Sequence, residues 1–217
     1  MLREQTIVTR LIWLSLLFSI AESLVLGRWP LAFVAAATLG LSLAPIYVAR
    51  WTQVRIPPSF LTAIVAFIWG TLFLGEVFDF YNKYWWWDVV MHAGSAVGFG
   101  MIGFVLVFVM FQGDRYAAPP LAIAFFAFCF GVTMGAMWEV FEFGMDQIFG
   151  TNMQKSGLID TMGDIIVDHI GAAFGASVGY GYLRGQEKGG LTALIADFVH
   201  RNPRFFRRLK KWPDRKN

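Results

Sequence analysis

The 217 residues are 57% hydrophobic and 15% charged, with a formal net charge of +3 and a mean hydropathy of +0.55. A water-soluble domain of this length carries about a quarter charged residues, so the composition excludes a soluble globular enzyme and places the chain in lipid. The single cysteine, Cys129, lies in an apolar run and excludes an intrachain disulfide and a cysteine-based metal site.

The apolar runs predict an all-α, polytopic membrane helical bundle of about six transmembrane helices. Spans are expected over residues 11–26, 31–49, 60–78, 89–111, 120–144 and 159–183. Each is near the roughly 20 residues that cross a bilayer core. The breaks between them have physical causes. Gly27-Arg28-Trp29-Pro30 is a tight turn, and residues 50–58 are polar and end in a double proline. Residues 112–120 hold Gly113, Asp114, Arg115 and a second double proline, which stops a helix. Trp85, Trp86 and Trp87 follow Tyr81 and Tyr84, as in an aromatic belt at lipid headgroups. Ser19-Ile20-Ala21 has the small-x-small form of a signal-peptide cleavage site, but the apolar run continues to Leu26, so a span is expected there.

Lys and Arg set the orientation. With the N-terminus inside and six crossings, fifteen of the 18 basic residues fall on the cytoplasmic side, and only Arg28, Lys83 and Lys155 fall outside. That asymmetry predicts N-in and C-in. The expected organisation is a bundle over residues 1–186 and a basic amphipathic cytoplasmic tail over 187–217.

Under this orientation, ten of the 15 acids gather in the outer half: Glu22, Glu76, Asp79, Asp88, Glu139, Glu142, Asp146, Asp160, Asp164 and Asp168. An ionisable residue inside a span costs about 2.5–3.5 kcal/mol on insertion scales, so several of these need a reason. In the sixth span Asp160, Asp164 and Asp168 form one stripe at four-residue spacing, continued by Gly171, Gly175 and Gly179. Small residues at that spacing let a second helix approach. In the fifth span Gly131 and Gly135 precede Glu139, Glu142 and Asp146 on roughly one face. In the fourth, Asp88 and His92 are one turn apart. A single intramembrane carboxylate ordinarily bonds a neighbouring hydroxyl, indole or backbone group and does no chemistry. Carboxylates from three helices at similar depth need protons, a cation or water among them. The candidate ion or metal ligands are therefore Asp88, His92, Glu139, Glu142, Asp160 and Asp164, with Glu76, Asp146, Asp168 and His169 as a second rank. His169 points about 100° away from Asp168 and is expected to bond within the packing.

The run Asp88-Val-Val-Met-His92, then Trp138-Glu139-Val-Phe-Glu142, then Asp160-Thr161-Met-Gly-Asp164 with Gly171 and Gly175, resembles the YjdF-like family of bacterial inner-membrane proteins. The resemblance spans about residues 60–183. It implies a bacterial cytoplasmic-membrane location and a polar helical core, and it implies no reaction.

Beyond residue 183, Leu191, Leu194, Ile195 and Phe198 share a helix face, and Asn202-Pro203 interrupts it. Phe205, Phe206, Leu209 and Trp212 then interleave with Arg204, Arg207, Arg208, Lys210 and Lys211. This pattern predicts an interfacial segment on anionic lipid, with an acidic protein partner as the rival. No nucleic-acid recognition motif accompanies the charge.

Three function classes fit. The first is a divalent-metal or cation site in the polar core, since oxygen and imidazole donors suit Zn, Mn, Fe or Mg; as an enzyme it would activate water against a lipid-linked phosphate or ester. The second is an accessory or assembly subunit whose glycine-rich faces meet a membrane-protein partner. The third is a proton or cation transporter. Gly-x-Ser-x-Gly, His-Glu-x-x-His and Walker signatures are absent from the sequence.

Overall fold

The computed structural model describes residues 5–114 and 118–207, and among these the regular structure is entirely helical. The chain divides into two compact units between Met91 and His92.

The first unit holds α1 (Ile7–Val25), α2 (Trp29–Thr52), α3 (Pro58–Ile68), a π-helical continuation (Trp69–Val77), α4 (Phe80–Lys83) and the opening turns of α5 (Trp85–Met110). Thr6 caps α1, its hydroxyl accepting from the Thr9 amide at 3.2 Å. Thr6 and Thr9 also meet Thr62 of α3 through hydroxyl contacts of 2.7 and 2.9 Å. Trp13 of α1 donates its indole N–H to Ser42 of α2 at 3.0 Å. These bonds hold three helices in register around Ile12, Leu16, Ala35, Ile46, Leu61, Val65 and Phe73. Gly27 (φ +67°) makes the α1–α2 turn, a conformation that a side chain resists. After the π segment, Phe78, Phe80, Tyr84, Trp86 and Trp87 form a continuous run of ring contacts, with centroids 4.9–6.4 Å apart.

The second unit holds the rest of α5, then α6 (Pro120–Phe149), α7 (Leu158–Leu183) and α8 (Gly190–Arg201). Its helices meet through glycine. A Cβ on Gly171 would lie 2.8 Å from the Ala93 carbonyl oxygen, and one on Gly175 would overlap the Val97 carbonyl. One on Gly100 would lie 2.8 Å from the Ala172 carbonyl, and one on Gly131 would lie 2.7 Å from the Ala172 Cβ. Backbones approach this closely only where side chains are absent. Beneath the glycines, Phe104, Phe108, Tyr182 and Phe206 form an aromatic core with centroids 5.4–6.1 Å apart.

Five helical segments are long and apolar enough to span a bilayer: α1, α2, α3 with its π continuation, α5 and α6. The sixth expected span, α7, is 26 residues long, long enough to cross, but with three aspartates it is not among the helices apolar enough to do so by composition. The chain is a helical membrane bundle. The expected tail also has more structure than its charge pattern indicated. Ile195, Ala196 and Val199 of α8 are buried, as is Asn202, and buried Phe206 packs on Phe108 of the aromatic core. The apolar face of α8 is therefore taken up by protein. Arg204 and Arg207 are exposed; Arg208, Lys210 and Lys211 lie outside the described residues.

Candidate functional site

His92 on α5, Glu139 on α6 and Asp164 on α7 come together inside the second unit. One donor atom from each lies within 4.8 Å of the other two, and all three residues are buried. Helical spacing explains the convergence. His92, Ala96 and Gly100 lie on one face of α5, and Ala96 and Gly100 pack against the glycine face of α7. Asp164 lies on that same α7 face, as do Asp168, Gly171 and Gly175. Glu139 stands one turn beyond Gly135, where α6 meets α7.

The imidazole divides its surroundings. Its Nε2 lies 4.0 Å from Glu139 Oε1 and 3.9 Å from Asp164 Oδ2. Its Nδ1 lies 3.4 Å from Asp168 Oδ1 and 3.5 Å from Asp168 Oδ2. Asp168 is 1% exposed and Glu139 4%. Both Glu139 carboxylate oxygens and Asp168 Oδ1 are buried without a close hydrogen bond, with the Thr161 hydroxyl directed at Glu139. Buried polar atoms are ordinarily bonded, so three under-satisfied carboxylate oxygens in one place are an unusual concentration. The titratable groups facing Glu139 are His92, Asp168 and Asp160, one imidazole and two further carboxylates.

The other candidates differ in their surroundings. Glu142 is buried and accepts a hydrogen bond from Trp138 Nε1 at 2.8 Å, four residues back on α6. Asp160 is half-buried at the start of α7, one turn before Asp164. Asp88 is half-buried and belongs to the first unit, as does Glu76, which is exposed on the π-helical segment. Asp146 does different work. Its Oδ1 accepts from Thr151 Oγ1 at 2.6 Å and from the Met153 amide at 2.7 Å, and its Oδ2 accepts from the Gln154 amide at 2.9 Å. It ties down the α6–α7 connection. His169 is exposed, contacts the Ile165 carbonyl of its own helix through Nδ1 at 2.7 Å, and rests its ring against Phe128. Its contact is local to α7 and its ring is exposed, apart from the buried group around His92.

Two contributors escaped the sequence reading. Trp138 anchors Glu142, and its four-residue spacing was the available signal. Thr161 faces Glu139 and accepts from Gln154 Nε2 at 2.7 Å; nothing in its local sequence marks it.

The family model described as "Predicted membrane protein (DUF2238)" matches residues 5–185. The match takes in α1 and α2 as well as the motif-bearing helices. An uncharacterized protein of Thermotoga maritima is 28% identical over 138 residues, covering 63% of this chain and 70% of its own length. Neither description names an activity. No solved structure matches.

Proposed function

We propose that this chain, which belongs to the DUF2238 family of predicted membrane proteins, binds a divalent cation between His92, Glu139 and Asp164. The observation that carries this reading is the convergence of two buried carboxylates and an imidazole, with donor atoms within 4.8 Å of one another. A neutral imidazole with two carboxylates offsets a 2+ charge and supplies a nitrogen-and-oxygen set suited to Zn, Mn or Fe(II). A tetrahedral ion about 2.1 Å from each donor needs the donors about 3.4 Å apart. The observed separations of 3.9 and 4.0 Å reach that value with shifts of about half an ångström. A direct hydrogen bond from Nε2 would need a donor–acceptor distance of about 3 Å, so the gap is too wide for simple pairing.

The membrane is read as a bacterial cytoplasmic membrane with the site opening to the periplasmic side, a placement supported by the Lys and Arg asymmetry. The basic end of the chain is read as lying on anionic lipid, with exposed Arg204 and Arg207 nearest the bundle. In nanodiscs, anionic lipid in place of zwitterionic lipid is expected to slow tryptic cleavage after these two residues. Equal cleavage in both would remove the contact.

Purified protein stripped with chelator and exposed to zinc or manganese should retain one of them stoichiometrically by elemental mass spectrometry. Metal at a hundred times its dissociation constant should stabilise the fold by about 2.7 kcal/mol. Glu139→Gln and Asp164→Asn should abolish both effects. Retention of metal by neither wild type nor variants, with no thermal shift, would defeat the proposal. An accessory role would then be favoured and tested by co-purification with a larger complex.

A further inference from the structure

We infer that Asp168 is the positioning residue of this centre: it fixes His92 as the tautomer protonated on Nδ1, so that the Nε2 lone pair faces Glu139 and Asp164. The use of that lone pair rests on the metal reading; the pairing itself does not.

The argument begins with the two sides of one ring. Asp168 lies at Nδ1, at 3.4 and 3.5 Å, within hydrogen-bond reach, while Glu139 and Asp164 lie at Nε2 at 4.0 and 3.9 Å, beyond it. A carboxylate oxygen is an acceptor, and of the three carboxylates Asp168 alone stands within hydrogen-bond distance of a ring nitrogen in these pairs, so it is the one that holds the imidazole proton, on Nδ1, and leaves Nε2 bare. Metal-bound histidines characteristically donate their other N–H to a carboxylate or carbonyl, which sets both tautomer and ring angle.

A second feature shows that the place of Asp168 is built. The Asp168 carboxylate lies against the α6 backbone at Gly135, where any Cβ would overlap it. Gly135 therefore serves more than helix approach: it vacates the volume that the carboxylate fills. Asp168 is also the least exposed acid of the group, and His92 is its hydrogen-bond partner.

The test uses full-length protein in nanodiscs, 15N-labelled at its three histidines, with His92→Gln to assign the signal. Long-range proton–nitrogen correlations on metal-free wild type should show His92 protonated at Nδ1 and bare at Nε2. In Asp168→Asn the amide can donate, and the population should move towards Nε2–H. Zinc affinity should fall about 10–100-fold. Gly135→Ala leaves every carboxylate in the sequence but removes the room, and should shift the tautomer the same way. This second variant keeps the test open if Asp168→Asn folds poorly. An Nε2–H tautomer or an imidazolium in the wild type at neutral pH would overturn the inference. So would variants with an unchanged tautomer and unchanged zinc affinity. A wild type with His92 protonated on Nδ1 that takes up no zinc would remove the metal reading and leave the pairing in place.

Discussion

Glu139 illustrates what a buried carboxylate does to a fold when its bonding is incomplete. Withdrawing an ion from water costs several kcal/mol, and only a partner or a cation repays it. Glutamine has nearly the same shape and no charge. Glu139→Gln should therefore leave metal-free protein at least as stable as wild type in thermal unfolding, while removing the stabilisation that zinc confers. A variant that lost stability without metal would mark Glu139 as a packing residue. Glu142 behaves differently because Trp138 holds it, and Trp138→Phe should cost about 1–3 kcal/mol with metal content unchanged. Asp146 was grouped with the site acids because it shares their face and lies near their depth. Its partners come from the loop that follows, and no helical periodicity reveals those. Asp146→Ala should raise hydrogen exchange across residues 150–157 and leave metal uptake intact; an unchanged loop would refute the tether. The sequence stripes thus made the meeting of His92, Glu139 and Asp164 legible. They could not assign each ring nitrogen, because tautomer selection depends on three-dimensional approach.

At the scale of elements, the glycines of α5, α6 and α7 divide into those that touch and those that do not. Gly175 abuts the Val97 carbonyl, whereas Gly98 has nothing within 4 Å of where a Cβ would stand. Gly175→Ala should destabilise the second unit by about 1–3 kcal/mol through overpacking, and Gly98→Ala should be neutral or slightly stabilising. Equal effects in a detergent thermal series would mean that the glycine face does not set the helix spacing. The four-residue repeat on α7 is visible in the sequence because a close helix crossing demands it. Two other element-level features are not visible there. The π-helical segment at Trp69–Val77 arises from hydrogen-bond register, which residue type encodes weakly. The docking of α8 is hidden because an apolar helix face suits lipid and protein equally. Only the burial of Val199 and Phe206 distinguishes the two.

For the whole molecule, the exposed surface carries the membrane assignment further than hydropathy does. Ile7, Phe33, Leu121 and Ile159 on four different helices are each 74–79% exposed, an apolar surface that water would not tolerate and lipid covers. Which side of the bilayer each end meets then depends on whether α7 crosses. An even number of crossings puts both ends on one side, and with five helices apolar enough to span a crossing by α7 would make the number even. Asp164 and Asp168 face inward and are buried, so the lipid-facing surface of α7 is left to residues such as Ile166, Ile170 and Phe174, which are exposed. A helix built this way can span because Asp164 and Asp168 are shielded from hydrocarbon and Asp160 stands at its first turn. Lys155 precedes α7 and Lys188 follows it, and both are exposed, so they report on its two ends. In a Cys129→Ala background, Lys155→Cys should react with a membrane-impermeant maleimide on intact cells, and Lys188→Cys should react only after permeabilisation. The opposite pattern would invert the bundle and turn the His92 centre towards the cytoplasm. Labelling of both positions from one side would show that α7 does not cross, and the aspartate stripe would then belong to a helix lying short of the far leaflet.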